Sequence, residues 1–146
     1  MKAVVQRVSS AAVKVDGITK GEIGKGLLVL LGIKEGDNEE TIRWFSNKLV
    51  NLRIFPDETN KINHSVLDIN GGILLISNFT LYGDTRKGYR PSFSKAAAPD
   101  IAEPLYEKML DFLRQHNPIQ IEAGIFGAMM DVSLVNDGPV TVIIEK

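Results

Sequence analysis

The sequence predicts a strand-rich α/β domain. Mixed, mostly antiparallel sheets form a barrel-like β/β/α core that two main helices cover. Three observations carry this expectation. Apolar runs of strand length recur along the chain, among them "AVVQRV", "KGLLVLLGI", "GGILLIS" and "PVTVIIEK". Two longer stretches switch to helical period. Turn-forming pairs such as Asp16-Gly17 and Asn70-Gly71 punctuate the runs.

The elements follow in order. "AVVQRVSSAAVKV" is expected as a strand pair, and "VKVDGITKGEIG" as a hairpin turning at Asp16-Gly17. "KGLLVLLGI" is continuously apolar, as a strand buried on both faces must be. In "GDNEETIRWFSNKLVNLRIF", Ile42, Phe45, Leu49 and Leu52 share one helical face, with Trp44 at its edge. Asp37 or Asn38 can cap this helix, and Glu40 is placed for a capping box behind Asp37. Arg53-Ile54-Phe55 begins a short strand that Pro56 stops. "HSVLDINGGILLISNFTLY" is expected as a second hairpin, turning near Asn70-Gly71-Gly72. The second helix lies within "APDIAEPLYEKMLDFLRQHN", with Leu105, Met109, Phe112 and Leu113 on its seam. Its regular part is expected to begin near Pro104, because proline removes an interior N–H. Two closing strands follow, "FGAMMDVSLVNDG" and "PVTVIIEK".

The 146 residues suit one domain, spanning 1–146. No cysteine is present, which excludes disulfides and thiolate metal sites and agrees with a reducing compartment. The longest apolar run, "GLLVLLGI", is far short of the roughly 20 residues that span a bilayer. The expectation is a cytoplasmic protein without a membrane segment. A net charge of −1 provides no global field for a polyanion, so nucleic-acid binding requires a local patch. One exists in "SNFTLYGDTRKGYRPSF", where Arg86, Lys87 and Arg90 surround Tyr89. A solvated loop explains the charges, but aromatics among bases also suit stacking on nucleotides.

Ordinary catalytic constellations are missing. His64 and His116 stand alone, without a second ligand at metal spacing. No acid pair, nucleophile elbow or phosphate loop is visible. Ser77 and Thr80 carry hydroxyls at a strand end, but neither is a good nucleophile without a basic partner. "NDGPVT", Asn136 to Thr141, has the composition of a turn between strands.

"SNFTLYGDTRKGYRPSF", "FGAMM" and "NDGPVT" together resemble the D-aminoacyl-tRNA deacylases, and the resemblance runs over essentially the whole chain. It implies an editing hydrolase that cleaves the ester of D-aminoacyl-tRNA, acting as a homodimer on the acceptor end, with no cofactor and no metal. Ser77, Asn78, Phe79 and Thr80 would form the catalytic segment. The family usually reads Gln where this chain has Asn78, an amide one methylene longer. Gly138, Pro139, Val140 and Thr141 would select chirality, the Gly-Pro peptide being cis and reaching into the partner's pocket. Arg86, Lys87 and Arg90 would hold tRNA phosphates. The resemblance favours backbone oxyanion donors at Phe79 and Thr80, with the terminal ribose 2′-hydroxyl assisting the attack. Thr80 as a nucleophile, and an RNA-end-binding dimer without catalysis, are the alternatives.

Overall fold

A computed structural model describes residues 1–146. Eight strands and two helices appear in the order β1 (Lys2–Val15), β2 (Ile18–Ile23), β3 (Gly26–Gly32), α1 (Glu39–Val50), β4 (Phe55–Pro56), β5 (Ile62–His64), β6 (Gly72–Ser77), a 3₁₀ turn (Phe79–Tyr82), α2 (Pro99–His116), β7 (Ile121–Ala123) and β8 (Asp131–Glu145).

The main sheet runs β2-β1-β3-β6-β7, and β8 pairs with the remaining side of β1. β1 is one continuous strand of 14 residues, not the expected pair. It can serve as a hub because its first half pairs with β3, its second with β2, and β8 follows it along both. Bulges near Val8 let it bend. The Asp16-Gly17 hairpin forms as expected, with both residues at positive φ (51° and 75°), as a tight two-residue turn demands. The barrel nearly closes where β2 meets β7, with Gln120 Nε2 donating to Glu22 O at 3.0 Å.

The expected second hairpin does not form. β6 pairs in parallel with β3 and with β7, while β5 turns back onto β4. Asn70 does adopt a positive φ of 49°, so the turn is real. It leads from a tight turn into a parallel strand rather than joining two antiparallel ones. Parallel partners lie far apart in sequence, so an apolar run does not announce them.

Two cores explain the apolar pattern. One lies between the sheet and the helices and contains Val5, Leu27, Val29, Leu31, Phe45 and Tyr106. The other fills the barrel interior, with Val8, Leu28, Leu74 and Ile76. Alternate residues of β3 therefore enter different cores, and the strand has no polar face.

α1 buries Ile42, Phe45 and Leu49 as its period requires. Its cap is Asn38, whose Oδ1 accepts from Thr41 N at 3.1 Å. No capping box forms, because Asp37 instead receives the Met1 ammonium at 2.7 Å and Lys34 N at 2.8 Å. α2 begins at Pro99, five residues before the expected start near Pro104. Pro99 supplies the favoured first-position proline, and Pro104 sits in the second turn on the outer face, where its missing N–H is tolerated. Its buried face comprises Ala102, Tyr106, Met109, Leu110 and Leu113, leaving Phe112 half-buried. Tyr106 ties α2 to the sheet by donating to Leu75 O at 2.8 Å. No helix is long and apolar enough to cross a membrane.

Candidate active site

β6 carries Ser77 to the end of the sheet, opposite Leu31 of β3. Asn78 N donates to Leu31 O at 2.8 Å, and the chain then breaks into the 3₁₀ turn. The break follows from the sequence, because an Asn side chain can satisfy a backbone N–H two residues ahead. Asn78 Oδ1 accepts from Thr80 N at 3.1 Å and also from the Thr80 hydroxyl. Gly83 N closes the turn on Thr80 O at 2.9 Å. Tyr82 returns to the interior beside Gly32, with its hydroxyl buried and without a partner. Burial is the main reason its phenol is pushed well above its ordinary pKa.

The turn forms one lip of a cleft of about 730 Å³. Leu30, Leu31, Ala97, Ala102, the "FGAMM" segment and Val132 line it. Ser77, Asn78 and Phe79 line it, and Thr80 does not. Phe79 is 57% exposed and meets Phe93 edge-on at 5.1 Å between ring centroids. No lining residue is ionisable. Neither Ser77 nor Thr80 therefore has a base in the cleft, and the Thr80 hydroxyl is engaged with an amide oxygen. As the first residue of the turn, Phe79 has no intrahelical acceptor for its N–H. Among the His, Asp and Glu side chains, no group of three is arranged to hold a metal ion.

Gly138, Pro139, Val140 and Thr141 lie elsewhere. The two expected closing strands are one strand, β8, interrupted by a bulge. Between the pairs Val8↔Asn136 and Gln6↔Thr141, β1 advances two residues and β8 five, so three extra residues loop out. The Gly138–Pro139 peptide in this bulge is cis. Gly138 and Pro139 are exposed and do not line the cleft of their own chain. Within one chain, the corner and the cleft are separate.

Side chains overlooked in the sequence hold the bulge. Arg7, only 9% exposed, donates from Nε to Asp137 O at 2.9 Å and from Nη1 to Ile54 O at 2.6 Å. Its Nε also lies 3.3 Å from the Asp137 carboxylate. Asn136 Oδ1 accepts from Val140 N at 2.9 Å. The signal for Arg7 was available: it follows Ala3 and Val5 at strand period, so it had to point inward.

The basic loop is clamped at its base by reciprocal backbone bonds between Asp84 and Ser92, at 2.8 and 2.9 Å. Of the three expected phosphate ligands, Arg86 is already paired. Its Nε lies 2.9 Å from Asp84 Oδ1, and this hydrogen-bonded pairing holds the Asp84 carboxyl well below the usual range. Lys87 and Arg90 are exposed and have no acid partner, and Tyr89 between them is fully exposed.

Comparison with known proteins agrees with this architecture. A D-aminoacyl-tRNA deacylase of Thermosipho africanus is 55% identical over 146 residues, covering all of this chain and 97% of the relative. That of Carboxydothermus hydrogenoformans is 54% identical over 145 residues, covering 99% of each. A solved structure described as a c-Myc DNA unwinding element binding protein superposes with a TM-score of 0.95 at 42% identity, covering 100% of this chain and 99% of that one. A probable eukaryotic D-amino acid tRNA deacylase shares the fold, with a TM-score of 0.82 at 18% identity over 98% of this chain and 97% of that one. Fold, cleft and relatives thus define a deacylase-type barrel domain with a neutral cleft. The chain belongs to the D-Tyr-tRNA(Tyr) deacylase family, which it matches over residues 4–145.

Proposed function

We propose that this protein is an aminoacyl-tRNA editing hydrolase, cleaving the ester of D-aminoacyl-tRNA to free tRNA and amino acid and sparing L-aminoacyl-tRNA. The observation that carries the reading is the neutral cleft with the Phe79 N–H at its lip. An aminoacyl ester is already activated, so its hydrolysis needs a placed water and donors for the developing oxyanion more than a strong base. Water adds to the carbonyl carbon, and Phe79 N–H donates to the oxygen that gains charge. One such donor is worth about 2.7–4 kcal/mol. The bond to the ribose oxygen breaks, that oxygen takes a proton, and the amino acid leaves as a carboxylate with release of one proton. The vicinal 2′-hydroxyl of the substrate orients the attacking water. Thr80 is not the nucleophile in this reading, since its hydroxyl is committed to Asn78 and lies off the cleft.

Chirality is judged by the partner subunit in a homodimer. The exposed Gly138–Pro139 corner lacks a cleft of its own, and Val140 and Thr141 lead it back into β8. Main-chain oxygens of the corner bind the substrate amine and leave no room for an L side chain. A thousandfold discrimination corresponds to about 4 kcal/mol, within reach of a steric clash plus an unpaired carbonyl. Lys87 and Arg90 meet phosphates of the acceptor end, with Arg86 contributing once released from Asp84. A charged-tRNA substrate would place the reaction in the cytoplasm.

The test follows D-tyrosyl-, L-tyrosyl- and glycyl-tRNA side by side. Rapid loss of the D ester is expected, with the L ester spared by about a thousandfold. Glycyl-tRNA is also expected to be cleaved, because glycine has no side chain for the corner to reject. Retention of tRNA with no ester loss would establish an end-binding module instead. Equal cleavage of simple esters would mark a general esterase.

The dimer has its own test. β8 pairs only with β1 and exposes Val135 (58%) and Ile143 (67%), an apolar edge that an isolated chain leaves uncovered. The double substitution Val135→Asp with Ile143→Asp is expected to give a folded monomer by sedimentation and to reduce D-tyrosyl-tRNA cleavage to background. A monomer with full activity would sink the cross-subunit corner.

A further inference from the structure

α2 does more than cover the sheet. Ala102 and Tyr106 lie one turn apart on its buried face. Ala102 lines the cleft, whereas Tyr106 is 1% exposed and does not. Tyr106 stands instead at a fork in the sheet. β6 and β7 pair as far as Leu75↔Ala123. Beyond that pair β6 runs on to Ser77 and the 3₁₀ turn, while the chain after β7 leads to the "FGAMM" segment. Leu75 O sits at the fork, accepting from Gly124 N at 3.2 Å and from the Tyr106 hydroxyl at 2.8 Å. The Tyr106 ring also meets that of Phe126, 5.8 Å away between centroids, and Phe126 lines the cleft. One side chain thus touches both lining segments, β6 through its hydroxyl and "FGAMM" through its ring. Burial, the largest cause, pushes the phenol well above its ordinary pKa, so the hydroxyl keeps its proton and stays a donor.

We infer that Tyr106 is a positioning residue that sets the spacing of the two lining segments and, through Leu75 and Phe126, the aim of the Phe79 N–H at the ester. The inference rests on the deacylase reading. A cleft without a base depends on placement, and an oxyanion donor acts only within about 2.7–3.1 Å of its target. Leu75 lies four residues before Phe79, so a shift at its carbonyl is carried along β6 into the turn. Leu75 O keeps Gly124 N when the hydroxyl is removed, so no buried carbonyl is orphaned and the fold survives the change.

The experiment measures cleavage of D- and L-tyrosyl-tRNA by the full-length protein, by Tyr106→Phe and by Phe126→Leu, each well below its own melting temperature. Tyr106→Phe keeps the ring and removes only the hydroxyl. It is expected to lower kcat about tenfold with KM within about twofold, since a misplacement of about 1 Å costs up to about 10²-fold and this shift is smaller. The D/L ratio should not change, because the selecting corner is braced by Arg7 and not by Tyr106. Phe126→Leu keeps the hydroxyl, removes the ring contact and should lower kcat to a similar degree. A merely structural tyrosine predicts a lower melting temperature with kcat unaltered on folded protein, and that result would overturn the role. A D/L ratio that falls with kcat would assign the loss to the corner and overturn it too. If Tyr106→Phe does not fold, Phe126→Leu decides alone, and unaltered kcat in it, with or without a raised KM, overturns the role. Failure of the unaltered protein to cleave the D ester would instead bring down the deacylase reading itself.

Discussion

Arg7→Met is expected to lower kcat/KM on D-tyrosyl-tRNA by about 10²-fold and to weaken rejection of the L ester. Methionine keeps an unbranched apolar stem, ends short of the guanidinium and supplies none of its donors. The bulge would lose the 2.9 Å bond to Asp137 O, and Ile54 O its 2.6 Å partner. Each hydrogen bond from a charged group is worth about 1.5–3 kcal/mol, so a drop in melting temperature should accompany the kinetic loss. The functional loss is larger than stability alone predicts, because a corner displaced by about 1 Å can cost 10²-fold in rate. Arg7→Lys should rescue little, as one ammonium cannot satisfy two carbonyls in the geometry of a guanidinium fork. D/L selectivity measured on equal amounts of folded protein checks the claim, and an unchanged ratio in Arg7→Met would refute it.

Gly26→Ala carries the largest expected effect on folding. Gly26 of β3 faces Gly72 of β6 at the start of their parallel pairing. A Cβ on Gly26 would stand 1.9 Å from Gly72 O and 2.8 Å from Gly72 N. Both are backbone atoms and cannot rotate aside, so the strands must separate. The cost should be about 3 kcal/mol or more, at the upper end of overpacking. That corresponds to a fall of roughly 6–12 °C in melting temperature. Gly24→Ala is the control, because nothing lies within 4 Å of its added carbon. Equal melting of the two variants would show that the close approach does not constrain the barrel.

The same contact shows what the sequence could and could not convey. Local chemistry was legible: the Asp16-Gly17 turn, the apolar face of α1 and the double burial of β3 all follow from a few neighbouring residues. Long-range pairing was not. "GGILLIS" announces a buried strand, but nothing in it says that the partner is Gly26–Leu31, or that the pair is parallel. "NDGPVT" has the composition of a turn between two strands. It became a bulge within one strand because β1 continues past it and Arg7 holds its base. Pro104 has the character of a helix breaker, yet α2 starts five residues earlier, because Pro99 fits the first helical position. For the site, Ser77, Asn78 and Phe79 were found together at the cleft. Thr80 is expected there too, but it does not line the cleft, and its N–H and hydroxyl both donate to Asn78 Oδ1 through a side-chain rotamer that no spacing rule encodes.

The bulge at Asp137–Val140 has a genetic consequence. In the proposed reading the selector is made of peptide oxygens, atoms that every amino acid shares, yet Gly138 lies at a φ of 145° with an added Cβ only 2.7 Å from Val140 N, so the corner has no room for a side chain there. The exposure to harmful change extends to the supports behind it, in Arg7 and Asn136. On that reading sequence drift should be punished at Gly138 and again one layer beneath it.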